Sequence, residues 1–163
     1  MNNKRLEIYL ADHLALMIAE VELVRRCSGS NKKTPLGDFL QQLENQVQAQ
    51  KSIVQDVRFR MGSSESIESR LKQAAGWFAE KLGRLKLNDS LISYSDLSRL
   101  VELEALSAAA LERISLWDNL DVTASQDLRF DGISFSFFRD QSEQHLQELH
   151  SRRRFAAATA FSP

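Results

Sequence analysis

Apolar side chains recur along this chain at alternating steps of three and four, the interval that lines one face of an α-helix. Leu6, Leu10, Leu14, Met17, Val21 and Val24 mark a first helix over Asn3 to Cys27, with Ser28 and Gly29 as the expected stop. Thr34 followed by Pro35 is a start signal with a mechanism. The hydroxyl accepts an orphan amide, and proline in the first turn gives up a donor that has no partner there. The second helix then carries Leu36, Leu40, Leu43, Val47, Val54, Val57 and Met61, with polar Gln50 in its seam, and Gly62 ends it.

Ser93 with Asp96 three residues on has the form of a capping box and opens a third helix through Leu97, Val101, Ala108 and Leu111 to Trp117. Leu100, Leu103, Leu106, Ala110 and Ile114 cover its other faces. Such a helix is expected either to be the most buried element or to meet a partner subunit as well as its own core. Asp131 before Gly132 is read as the cap of a fourth helix, whose face runs Phe135, Phe138, His145, Leu149 and Ala156 and which ends near Phe161. The connection between the second and third helices is too long for a tight turn. Ile67, Leu71, Ala74, Phe78, Leu82 and Leu85 predict a shorter amphipathic helix inside it, interrupted at Gly76 and Gly83.

No alternating strand pattern competes, so the expected class is all-α. The expected architecture is a ferritin-like four-helix bundle with a long, partly helical crossover that sets the second and third helices parallel; a five-helix up-and-down bundle is the alternative. No repeat or linker divides residues 1–163, and a single domain is expected.

Composition narrows the function classes. The chain has 163 residues, 43% hydrophobic, with Lys+Arg 21 against Asp+Glu 22 and a net charge of -1, so it carries no global basic field to draw nucleic acid. Arg152 to Arg154 lie toward a helix carboxyl end, where cations are favourable anyway. The longest apolar run, Leu14 to Ala19, is too short to span a bilayer, and Glu7, Asp12 and His13 interrupt the stretch a secretory leader would need. The one cysteine, Cys27, excludes an internal disulfide and a thiolate-rich zinc site. A soluble, cytoplasmic protein without nucleic-acid or membrane partners is the expectation.

A bundle of this build raises the question of a dinuclear metal centre, which places a Glu on each of two helices and a Glu-x-x-His on each of the other two. Neither Glu-x-x-His occurs: Glu44 is followed at the third position by Val47, Glu143 by Leu146 and Glu148 by Ser151. The remaining candidate ligands for iron or manganese are Glu20, Glu44, Glu104 and His145, one from each helix. Glu104, between Val101 and Ala108, is placed on the apolar face and expected to pair with an Arg or His; His145 is expected to be a hydrogen-bonded core histidine. His13 and Met17 stand one turn apart on one helix and cannot bind opposite faces of a haem. Cys27 at a helix carboxyl end is a poor thiolate, no Gly-x-Ser-x-Gly elbow occurs, and Arg84 with Lys86 lacks the glycines of a phosphate loop. Trp77 and Trp117 read as packing anchors.

The segments Tyr9-Leu10-Ala11-Asp12-His13-Leu14, Val21-Glu22-Leu23-Val24-Arg25-Arg26, Ala75-Gly76-Trp77-Phe78-Ala79-Glu80-Lys81 and Val101-Glu102-Leu103-Glu104-Ala105-Leu106 resemble a group of uncharacterised small bacterial helical proteins, loosely similar to ferritin-like bundles. The resemblance spans most of the chain and implies a fold, with no catalytic residue carried over. The expected function is therefore non-catalytic: a helical bundle acting through protein contacts, self-associating as a homo-oligomer along the apolar third helix. A carboxylate and histidine metal-binding protein is the alternative.

Overall fold

A computed structural model describes residues 2–63, 67, 70–72, 76, 94–124 and 127–162. Four long helices carry it: α1 (Asn3–Ser30), α2 (Pro35–Arg60), α3 (Asp96–Ala124) and α4 (Phe135–Ala160), with a 3-10 turn at Leu128–Phe130 before the last. No strand occurs among the described residues.

The local signals act largely as their chemistry dictates. Thr34 Oγ1 accepts the Gly37 amide at 3.1 Å with Pro35 in the first turn, and Gly62 ends α2 at φ +75°. Two helix ends differ from expectation. α1 runs through Ser28 and Gly29 to Ser30, because Asn31 beyond them donates its side-chain amide to the Cys27 carbonyl at 2.8 Å and so satisfies an orphan acceptor. Asp131 closes the 3-10 turn and Gly132, at φ +82°, redirects the chain; α4 then starts after Ser134, so Asp131 is not its cap. For α3, Ser95 Oγ accepts the Ser98 amide at 3.1 Å, whereas the expected cap Ser93 lies outside the described residues. α3 also continues two turns past Trp117. Of the helix expected between α2 and α3, Ile67 and Leu71 pack on the core; Ala74, Phe78, Leu82 and Leu85 lie outside the described residues.

Bonds between helices fix the directions. Against α1, contacts climb while α3 descends: Tyr9 with Asn119, Glu20 with Arg113, Arg26 with Glu102. Arg25 with Glu44 and Glu7 with Ser63 set α2 antiparallel to α1. Gln50 with Gln141, and Pro35 with Arg152, set α4 antiparallel to α2. The second and third helices therefore run parallel, and the connection leaves beside Glu7 and returns at Tyr94 beside Asn31. On α1 those two levels are roughly 36 Å apart at 1.5 Å per residue.

One side of α3 is covered by its own chain, with Leu100, Leu103, Leu106 and Ala110 all within 4% exposure, while Leu111 and Val122 on its other side are exposed. α1 is buried as deeply, through Leu10, Leu14, Met17, Val21 and Val24. α2 and α4 bury fewer residues and leave a seam between them.

The apolar core is split in two. One cluster gathers Val24, Cys27, Leu40, Val47, Leu103, Leu106 and Leu149; the other gathers Leu10, Leu14, Val54, Leu116, Trp117, Phe130 and Phe135. Between them, at one level on all four helices, lie Glu20, Gln50, Arg113, Ser142 and His145.

Candidate functional site

This polar layer is the chemical centre of the bundle, and Arg113 organises it. The side chain is 1% exposed, as is Glu20 opposite. Arg113 Nε donates to both Glu20 oxygens, at 3.2 and 3.0 Å. Its Nη1 faces three acceptors, Gln50 Oε1 and Ser142 Oγ at 3.1 Å and His145 Nδ1 at 3.2 Å. A guanidinium only donates, so Nδ1 is the acceptor and the imidazole proton sits on Nε2, which donates to Gln46 Oε1 at 2.5 Å. Gln50 Oε1 also accepts from Trp117 Nε1 at 2.9 Å, while its amide nitrogen donates to Gln141 at 2.7 Å. Ser142 accepts from Arg113 and passes its own proton to the Phe138 carbonyl at 2.8 Å.

Helix spacing makes this convergence possible. Leu106, Ala110, Arg113 and Trp117 follow one another at four, three and four, as do Phe138, Ser142, His145 and Leu149 on α4. Trp117 anchors the layer from below, stacked 6.1 Å from Phe135 and tilted 5.1 Å from Phe138.

The electrostatics follow from burial. The His145 pKa falls to about 3, first because burial disfavours the imidazolium and then because Arg113 repels it. The ring is neutral at any physiological pH. Burial pushes the Glu20 carboxyl above its usual range, against the pull of Arg113. Its one strong partner is that guanidinium, and removing either member strands the other in the core.

Of the four candidate ligands, Glu20 and His145 do come together, each bonded to Arg113. The cation between them is a guanidinium. Glu44 lies toward the surface and accepts from Arg25 Nε at 3.0 Å. Glu104 is 46% exposed, with Arg153 4.0 Å away, which corrects its expected place on the buried face. Glu44 and Glu104 therefore do not converge with the other two, and no cluster of three or more His, Cys, Asp or Glu with metal-binding geometry occurs among the described residues. Arg113 and Ser142 were not among the sequence candidates, although a basic and a hydroxyl residue at seam positions was the signal that marks them.

From outside, the layer is approached along the α2–α4 seam. A groove of about 450 Å³ runs there, lined by Phe39, Gln42, Gln46, Gln144, His145 and Arg152. His145 forms part of its floor, and Arg152 lies over the Phe39 ring at 4.4 Å.

A second network ties the end of the bundle. Tyr94 donates to Glu102 at 2.9 Å and accepts from Asn31 at the same distance; Arg26 reaches Glu102 at 3.0 Å and Arg99 reaches Asn31 at 3.0 Å. Burial, with Glu102 beside it, pushes the Cys27 thiol far up, so desolvation rather than the helix end silences it. His13 is edge-on to Tyr9 at 4.4 Å, and burial lowers its pKa to about 4.

No helix among the described residues is long and apolar enough to cross a membrane. No protein-family model matches the chain, no curated protein is significantly similar to it, and no solved structure matches it significantly.

Proposed function

We propose that the chain is a non-catalytic, ferritin-like helical bundle of the cytoplasm, its α2–α3 connection a partly helical crossover, and that it acts by binding protein, copies of itself included. The carrying observation is the closed polar layer. Glu20 and His145 are both engaged by Arg113, and the Cys27 thiol is held protonated, so the acid and imidazole of the layer serve to join helices.

Contact chemistry is left to the surface. Phe59 is 81% exposed, Val122 75%, Leu128 85% and Phe137 57%, and the antiparallel arrangement brings all four to the end of the bundle where α1 begins. This end is proposed as the self-association surface, since four exposed apolar side chains gather there.

Sedimentation velocity from low to high micromolar concentration tests the reading. A concentration-dependent dimer or larger assembly is expected, shifted to monomer by Phe59→Ser with Leu128→Ser. A strictly monomeric wild type overturns the self-contact. For the rival reading, an iron or manganese protein built on Glu20 and His145, saturable metal uptake abolished by Glu20→Gln would displace the proposal.

A further inference from the structure

The guanidinium at the centre of the bundle is not used up by the side chains around it. Arg113 Nη2 is buried and meets no acceptor among the described residues. The Glu20 carboxylate beside it accepts only from Nε, through both oxygens, although a carboxylate offers about four acceptor positions. An unfilled pair of donors and an unfilled acceptor thus flank one another on a single buried ion pair. Leaving such groups unmet in the core carries their full desolvation penalty.

We propose that the layer binds one internal water molecule, which accepts from Arg113 Nη2 and donates to a Glu20 oxygen. Three considerations select water over other occupants. The bridging group must both accept and donate, which a halide or carboxylate ligand does not do. Glu20 already neutralises the guanidinium, so a second anion would add an uncompensated charge in the core. Ala109 and Ala110, buried one turn before Arg113, carry short side chains, and a single water needs only a probe-sized volume with two or more polar partners.

The water makes the ion pair a three-membered unit and gives Glu20 a partner on the side that Nε does not reach. It also explains why Arg113 approaches through Nε alone instead of closing a two-toothed fork on the carboxylate.

A crystal structure of the wild-type protein at a resolution that orders solvent provides the test. The expected result is a solvent peak within hydrogen-bonding range, about 2.7–3.2 Å, of both Nη2 and a Glu20 oxygen. A protein oxygen directly on Nη2, or an unoccupied space beside it, overturns the proposal. In solution, oxygen-17 relaxation dispersion counts long-lived internal waters. The count should fall by one in the Glu20→Leu/Arg113→Met protein, and an unchanged count would contradict the assignment.

Discussion

Two acid–arginine pairs join α1 to α3, and they stand in opposite physical conditions. Glu20 and Arg113 are each 1% exposed, whereas at the bundle end Glu102 is 8% exposed and its partner Arg26 is 50% exposed. In the centre, desolvation is complete, and Gln50, Ser142 and His145 offset it in part by meeting the Nη1 protons of the guanidinium. At the end, water stabilises Arg26 whether or not Glu102 is present. Similar bonds between the same two helices thus specify different things: the central pair fixes which levels of the four helices meet, and the outer one fastens one end of the bundle.

This contrast sets the order of expected effects. Glu20→Leu strands a buried cation and should cost about 3–5 kcal/mol of unfolding free energy in urea; a loss under about 1 kcal/mol would mean that bulk solvent hydrates the Arg113 guanidinium. Gln50→Leu removes the acceptor of Trp117 Nε1 and one of the three acceptors facing Arg113 Nη1 and should cost about 2–3 kcal/mol, with a change in tryptophan emission. At the end, Tyr94→Phe deletes one half-buried hydroxyl between Asn31 and Glu102, and about 1 kcal/mol is expected. A loss there equal to that of Gln50→Leu would erase the distinction between the regions.

Acidification separates them in another way. The folded His145 pKa of about 3 lies below its ordinary value of 6.5, so between these values the unfolded chain binds the proton and the folded one does not. The contribution is fully present above pH 6.5 and is lost as pH falls toward 3. His13, lowered to about 4, acts in the same direction over a narrower window. Glu20, raised, acts oppositely. His145→Asn should therefore flatten the fall of stability between pH 6 and pH 4 by up to about 1.4 kcal/mol per pH unit, read from urea midpoints. An unchanged slope would mean that His145 is solvated.

Much of this fold is legible in the chain, where one residue type dictates one local outcome. Thr34-Pro35 and Gly62 bound α2, and Gln50 stands out as a polar residue in an apolar seam. His145 reaches the interior as its place on the fourth helix's face suggests, and Glu20, beside the Met17–Val21 line, is buried as well. Glu104 does not, because α3 is apolar on every side and its helical phase is ambiguous: the Val101–Ala108 line is half-buried, while Leu103, Leu106, Ala110, Arg113 and Trp117 hold the core. The partner that Glu20 needs is 93 residues away, and periodicity along one helix carries no information about pairing between two. Ser28 and Gly29 were weaker stops than Asn31, whose side-chain amide sets the true end.

The central claim is that Arg113 and Glu20 are coupled as a packing centre of the bundle. A double-mutant cycle on Glu20→Leu and Arg113→Met, followed by urea unfolding, measures that coupling directly. The double variant should recover most of the stability lost by Glu20→Leu alone, since two apolar residues of similar volume replace a pair that neither can hold singly. Losses that simply add across the two positions would contradict it.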